Sequence, residues 1–108
     1  MRYGYRVEMP GVSQEQYDAL HAQFASTAGD DMAGLLVHIA GPIEGGWSVT
    51  EVWASKGDFD QFMTHMAPML SSPGAPHMQI HEFAVYNCET RAQPQLRHLH
   101  DGAGTHSF

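Results

Sequence analysis

The chain has very little cysteine, positive charge or continuous apolar sequence. Cys88 is its single cysteine, so no disulfide can form within the chain and no cysteine-based zinc motif is present. Only five of the 108 residues are Lys or Arg, they are scattered, and the formal net charge is −7. Nucleic acids and anionic membrane surfaces are bound through clustered cations, so neither is expected as a partner.

Long apolar runs are also missing. The N-terminus lacks the continuous apolar core of a signal peptide, and no stretch reaches the roughly 20 apolar residues of a membrane helix. A lone cysteine fits a reducing compartment. Together these features predict a soluble protein of the cytoplasm.

Residues 1–88 alternate between two kinds of periodicity. Alternating or continuous apolar runs predict strands, and apolar stripes at spacings of three and four predict helices. The predicted order is a strand at 3–9, a helix from Ser13 to near Ala28, strands at 34–40 and 47–54, a helix from Ser55 to near Ala67, and a strand at 77–88. Each helix opens on a serine with a capping partner three residues on, Gln16 in the first and Asp58 in the second.

This βαββαβ order is that of α+β domains of the ferredoxin-like kind, with a four-stranded antiparallel sheet. The two helices would cover one sheet face, yet the strands carry apolar residues on both sides. An open apolar face needs a cover, and a second copy of the chain is the simplest one, so a homodimer is expected. Residues 89–108 have few apolar residues and no period, which predicts a C-terminal tail outside the domain.

Residues 46–63, GWSVTEVWASKGDFDQFM, run from a strand with two Trp residues into a Ser-capped helix with paired Phe residues. This segment resembles the dimeric α/β-barrel superfamily, which includes the antibiotic biosynthesis monooxygenase-like and stress-responsive barrel proteins. The resemblance implies a homodimer whose sheets form a barrel, with a pocket between sheet and helices in each subunit. It implies several possible activities, among them cofactor-independent oxygenases, polyketide cyclases and haem-degrading enzymes. The Asn that haem-degrading members use has no match here, so no haem is expected. The resemblance to cofactor-independent members implies that no other cofactor is needed.

Histidine is the unusual part of the composition, with eight in the chain. His38 interrupts the apolar strand 34–40, so its ring is expected in the core, a pocket or the dimer interface. It is either a buried side chain satisfied by one hydrogen bond or an acid or base that works near neutral pH. His81 is the second candidate for proton transfer. His77 and His81 would lie about 13 Å apart along a strand, too far for one ion, so no metal site is expected.

Glu51 lies between Trp47 and Trp53 on one strand face, where desolvation suits a group that holds or takes a proton. Alternatively, it pairs with Arg6 of the first strand. The register between strands 34–40 and 47–54 is left open, because a slip of one residue moves His38 to the opposite face from Glu51.

An adaptable apolar cavity would suit a flat aromatic ligand. The residues predicted to line it include Trp53, Tyr86, Phe62 and Met66. His65 borders the apolar stripe of the second helix, and it either faces solvent or points into this cavity.

Two functions are compatible with these features. The first is a small cofactor-independent enzyme of the monooxygenase or cyclase type, acting on an aromatic or polyketide-like molecule, with His38 or His81 moving a proton. The second is a non-catalytic dimeric module for ligand binding or stress response, favoured by the absence of any sharp catalytic motif. An open cavity beside a histidine would favour the enzyme, and a space filled by side chains would favour the module.

Overall fold

A computed structural model of the chain describes residues 1–91, so the predicted tail lies outside it except for 89–91. The elements are β1 (Tyr3–Pro10), α1 (Gln14–Ala28), a 3₁₀ helix (Gly29–Met32), β2 (Leu35–Ile43), β3 (Gly46–Trp53), α2 (Lys56–Leu70) and β4 (Gln79–Ala84). The predicted α+β class and βαββαβ order are confirmed. Within residues 1–91, no helix combines the length and the apolar character that a membrane span requires.

Both helices begin at the predicted serines. Ser13 Oγ accepts a hydrogen bond from the Gln16 amide at 3.2 Å, and Gln16 Oε1 accepts one from the Ser13 amide at 2.8 Å. This is the complete capping box, in which the side chain of each residue accepts a hydrogen bond from the backbone amide of the other. Ser55 Oγ likewise accepts from the Asp58 amide at 3.1 Å. The first turn of each helix is therefore set by local sequence.

The C-terminal half departs from the sequence prediction in two places. Helix α2 passes through Pro68 and ends at Leu70, not near Ala67. Proline removes one backbone hydrogen bond, but Ser71 closes the last turn by donating its amide and hydroxyl to the Ala67 carbonyl at 3.0 and 2.8 Å. Strand β4 covers only Gln79–Ala84, because only these residues pair with β1.

The sheet is fully antiparallel, with the strand order β2-β3-β1-β4. A bulge between Leu35 and Val37 shifts the β2–β3 register and brings His38 opposite Glu51. Residues that pair across neighbouring strands share a sheet face. His38 and Glu51 therefore lie on the same face, which answers the question that the sequence left open.

The two sheet faces have different surroundings. One packs against the helices and forms the core, which comprises Tyr3, Tyr5, Val7, Met9, Val49 and Trp53 of the sheet with Phe59, Phe62 and Met66 of α2. No element of residues 1–91 covers the apolar side chains of the other face, and Ile39 is 61% exposed there. The Phe83 ring also lies on this face, against the backbone of Gly4, which has no side chain to keep it away.

Candidate active site

Four side chains form a hydrogen-bonded series on the helix-covered face of the sheet. Tyr17 Oη lies 2.6 Å from His38 Nε2, and His38 Nδ1 lies 2.9 Å from Glu51 Oε2. The other carboxylate oxygen, Glu51 Oε1, accepts a hydrogen bond from Trp53 Nε1 at 3.0 Å. The series thus runs from a phenol through an imidazole and a carboxylate to an indole.

Three elements position these side chains. Glu51 and Trp53 are two residues apart on β3, so the strand period places both toward the helices. The β2–β3 register sets His38 beside Glu51. Tyr17 is in the first turn of α1, where its amide donates to the Ser13 carbonyl at 2.9 Å. The cap at Ser13 therefore holds the turn that carries the phenol above the imidazole.

The donor and acceptor groups of the four side chains indicate which atoms carry the hydrogens. The Trp53 indole can only donate, so Glu51 accepts from it. Ionised Glu51 also accepts from His38 Nδ1–H, which leaves Nε2 as an acceptor for the Tyr17 hydroxyl. Burial first, and then the charges of Glu51 and Asp18, raise the pKa of Tyr17, so it keeps its proton and donates. In this arrangement a neutral His38 carries its hydrogen on Nδ1, beside the carboxylate, and its basic Nε2 points away from Glu51.

Three members of the series, Tyr17, His38 and Glu51, form one wall of a small cavity between the sheet and the helices. The other walls are mostly apolar, and the lining residues are Tyr5, Val7, Met9, Tyr17, Leu20, His21, Phe24, His38, Val49, Glu51, Phe62, Met63, Leu70 and Met78. The volume of the cavity is ≈ 40 Å³. That is room for about three water molecules, since each needs roughly 10–15 Å³. A larger guest requires side chains such as Met63 and Met78 to move, which the flexible thioether allows.

Several predicted site residues meet at this cavity. His38, Glu51 and Phe62 line it. Trp53 stands behind Glu51 as its hydrogen-bond donor and is fully buried. Met66 is also fully buried and packs in the core. Neither Trp53 nor Met66 lines the cavity, contrary to the sequence prediction.

The structure does not bring His81, Tyr86 or His65 to the cavity. His81 pairs with Arg6, so it lies on the open face, opposite the face that carries His38. Tyr86 follows the end of β4 and is 97% exposed. His65 Nδ1 lies 2.6 Å from Asp31 Oδ2 at the protein surface, in keeping with the solvent-facing alternative.

The proposed pairing of Glu51 with Arg6 is wrong. Arg6 points to the open face, and its guanidinium lies 3.9 Å from the Glu8 carboxylate. Glu51 lies on the other side of the sheet and pairs with His38. The strand period separates the two residues, because Arg6 pairs with Thr50 and not with Glu51.

Sequence reasoning missed two residues at the cavity. Tyr17 and His21 both belong to the apolar stripe of α1, a pattern that predicts core positions. Their rings are 5.6 Å apart, and the His21 ring lies 5.2 Å from that of His38. A hydroxyl and an imidazole on a core-facing stripe need polar partners in the interior. This requirement was the sequence signal that could have placed Tyr17 and His21 near another polar side chain.

Comparisons with known proteins agree with this fold. A protein of Chloroflexus aurantiacus J-10-fl that carries the name antibiotic biosynthesis monooxygenase is 20% identical, with 83% of this chain and 98% of that chain covered and a TM-score of 0.56. A protein of Bacteroides thetaiotaomicron VPI-5482 with the same name is 10% identical, with 85% and 96% covered and a TM-score of 0.62. A mutant of SnoaB, a cofactor-independent oxygenase from Streptomyces nogalater, is 10% identical, with 81% and 94% covered and a TM-score of 0.54.

These likenesses concern the backbone. The resemblance to antibiotic biosynthesis monooxygenase-like proteins is confirmed at the level of the fold, over more than four fifths of the chain. No family model matches the sequence, and no curated protein does. Because one fold supports many activities, the chemistry of this chain has to be argued from its own site.

Proposed function

We propose that this chain is a small cofactor-independent enzyme that removes a proton from an aromatic or polyketide-like molecule in its apolar cavity. The observation that carries the proposal is the placement of His38, held between Tyr17 and Glu51 on the cavity wall. A neutral imidazole is the side chain best suited to accept a proton near neutral pH. The reaction is of the monooxygenase or the cyclase type.

Glu51 supports this chemistry in two ways. Its carboxylate fixes which nitrogen of His38 is basic, and it stabilises the imidazolium that forms when His38 takes up a proton. The His38 and Glu51 side chains are only 11% and 9% exposed, so water screens the pair weakly. The indole of Trp53 holds the carboxylate in place.

The substrate class follows from the cavity walls. They are apolar and aromatic, they contain no Lys or Arg, and their single carboxylate is Glu51. Such a site favours a neutral molecule over a carboxylate or a phosphate ester, because an anion would meet a negative charge and no cation. A phenol or enol fits, since it is neutral when it enters and becomes an anion only after losing its proton.

Two fates of the resulting anion separate the reaction types. In a monooxygenase the electron-rich anion is the only reductant of dioxygen. A ring C–H becomes a carbonyl that keeps one oxygen atom, and the ring hydrogen and the phenolic hydrogen leave with the other oxygen atom as water. In a cyclase the anion attacks a carbonyl within the same molecule, and the imidazolium returns the proton. The fold shared with the oxygenase SnoaB supports the first type.

Turnover of one phenol and one ketone that forms an enol, with and without oxygen, tests the proposal. The purified chain would be incubated with anthrone and 1-naphthol under air, under ¹⁸O₂ and under nitrogen, and products would be identified by mass spectrometry. His38→Gln is expected to lower the rate by about 100-fold or more. His77→Gln, at an exposed histidine outside the sheet, is the matched control and should keep the rate. A His38→Gln variant as active as the parent would contradict the proposal.

A non-catalytic binding module is the second candidate. The observation that favours it is the small free volume of the cavity, which side chains largely fill. If phenols bind without any turnover in the presence or absence of oxygen, this candidate replaces the enzyme.

We further propose that the chain forms a homodimer through its open sheet face. Ile39, Val52 and Phe83 lie on this face, and Ile39 and Phe83 remain 61% and 44% exposed in the single chain. Contiguous exposed apolar side chains of this kind mark association surfaces. The helices cover only the opposite face, so a second sheet is the cover that fits.

A further inference from the structure

Both ring nitrogens of His38 are already engaged, which limits how a bound molecule can reach the imidazole. Nδ1 is bonded to Glu51 at 2.9 Å and Nε2 to Tyr17 at 2.6 Å. A neutral imidazole has one N–H donor and one acceptor nitrogen. A ligand that contacted Nε2 directly would have to displace the Tyr17 hydroxyl first.

The Tyr17 hydroxyl can take a further hydrogen bond without such a displacement. A hydroxyl has one hydrogen to donate and two lone pairs to accept. Tyr17 donates its hydrogen to His38 and can still accept from a guest. Its ring lines the cavity, is only half-buried, and stacks on Trp47 with centroids 5.5 Å apart, which holds the hydroxyl in place. Tyr17 is therefore the end of the series that a guest in the cavity can contact.

We propose that Tyr17 exchanges the proton with the bound molecule and that His38 receives it through Tyr17. This inference deepens the proposed function and rests on it. The O–H bond of the guest phenol or enol breaks as its hydrogen bonds to Tyr17 Oη. The Tyr17 O–H bond breaks as that hydrogen bonds to His38 Nε2. Each electron pair stays on the oxygen that loses hydrogen, so the guest becomes an anion and His38 an imidazolium beside Glu51.

The two transfers have to occur together. Burial, Glu51 and Asp18 raise the pKa of Tyr17, so a free tyrosinate is disfavoured at this position. A relay in which the phenol gains one proton as it loses another avoids that anion. Two further titratable side chains face this part of the cavity. His21 lies one turn along α1 from Tyr17, and Tyr5 lies on β1. Burial and then the charge of Glu51 raise the pKa of Tyr5.

A chromophoric phenol tests the relay without knowledge of the natural substrate. 4-Nitrophenol absorbs at different wavelengths as phenol and as phenolate, so the spectrum of the bound form reports its ionisation. Equilibrium dialysis measures its binding independently. We expect the full chain to bind it as phenolate under conditions where the free compound is neutral. Tyr17→Phe should still bind it but lose the phenolate signal, whereas the control Tyr3→Phe, at a buried tyrosine that does not line the cavity, should keep it.

The outcomes separate the relay from the proposed function. If Tyr17→Phe ionises the bound phenol as well as the parent chain, the transfer does not need the Tyr17 hydroxyl; the relay is then wrong while the proposed function stands. If the parent chain does not ionise it, or if His38→Gln still does, both are wrong.

A second measurement needs no variant. In ¹⁵N-labelled parent chain saturated with 4-nitrophenol, the relay predicts a new His38 Nε2–H proton whose nuclear Overhauser effect is to the Tyr17 ring. A nuclear Overhauser effect from this proton to the ligand ring, and not to the Tyr17 ring, would show that the ligand contacts His38 Nε2 directly and would overturn the relay.

Discussion

Glu51 is a buried carboxylate whose two oxygens hold different partners. One accepts from the Trp53 indole and the other from the His38 imidazole. Both donors are largely shielded from water, so each depends on the carboxylate for its hydrogen bond. The side chain therefore stabilises the fold and sets the protonation of the site at once.

Two substitutions at Glu51 separate these roles. Glu51→Ala leaves the Trp53 indole N–H buried without a partner and should lower the free energy of unfolding by about 1–3 kcal/mol. Glu51→Gln should lower it less, because the amide oxygen still accepts from Trp53 while the amide NH₂ donates to His38 Nδ1. That donation moves the imidazole hydrogen to Nε2, which ¹⁵N spectra of His38 would show. Equal losses of stability in urea unfolding would contradict this account.

The free energy of unfolding at alkaline pH depends on the two tyrosines with raised pKa values, Tyr5 and Tyr17. The pKa of Tyr5, raised by burial and then by Glu51, and that of Tyr17 lie above their ordinary value in the folded chain. In the unfolded chain tyrosine ionises near pH 10. The unfolded state thus loses protons first, so stability is full below about pH 10 and falls as the pH rises further.

Urea unfolding in a pH series checks that expectation. Tyr5→Phe should show a shallower alkaline loss of stability than the parent chain, because one shifted group has been removed. Tyr86→Phe, at a side chain that is 97% exposed, is the matched control and should follow the parent curve. Identical curves for Tyr5→Phe and the parent would show that Tyr5 does not contribute.

At the scale of elements, the β2–β3 hairpin depends on Gly46. A Cβ at this position would press on the Met9 carbonyl and the Pro10 backbone of the neighbouring β1 strand, and backbone cannot move aside cheaply. Gly46→Ala is therefore expected to cost about 1–3 kcal/mol of stability, as overpacking usually does. Gly41 on β2 is a matched control, since no heavy atom lies within 4 Å of the place that a Cβ would occupy there. If Gly41→Ala costs as much in thermal unfolding, close approach is not the cause.

Helix α2 carries a proline that its packing tolerates. Pro68 lacks the N–H that would reach the Thr64 carbonyl, yet the helix continues to Leu70, which packs against the core. Pro68→Ala should restore that hydrogen bond and raise the free energy of unfolding by about 1–2 kcal/mol. The gain is smaller than the full cost of a proline inside a helix, because proline also restricts the unfolded chain and so stabilises the folded state. Chemical unfolding would measure the change, and a destabilised variant would mean that the proline ring itself contributes to packing.

At the scale of the whole molecule, the open sheet face decides how many chains associate. Ile39→Lys places a charge on this face and is expected to convert the proposed dimer to a monomer in sedimentation-velocity runs. Ile80→Lys is the control, because Ile80 is also an exposed isoleucine on an edge strand but lies on the helix-side face, paired with Val7. A monomeric parent chain, or equal dissociation of both variants, would contradict the proposed interface.

The sequence alone determined the features that depend on neighbours along the chain. These are the order of the elements, the capping serines Ser13 and Ser55, and the strand alternation that directs Glu51 and Trp53 to one face. Short-range hydrogen bonds and side-chain periods set all of them. The length of β4 was not among them, because a strand extends only as far as its partner β1 can pair with it.

Only the tertiary structure decided which side chains meet. The bulge after Leu35 sets the phase of β2 and so brings His38 beside Glu51, while the register with β1 sends His81 to the opposite face. In the sequence Tyr17 is one more residue on the apolar stripe of a helix, and only the packing of α1 over β2 places its hydroxyl on His38. Register and packing join residues that are distant in sequence, and a shift of one residue would exchange the faces. The site therefore exists only as a property of the assembled sheet and helix.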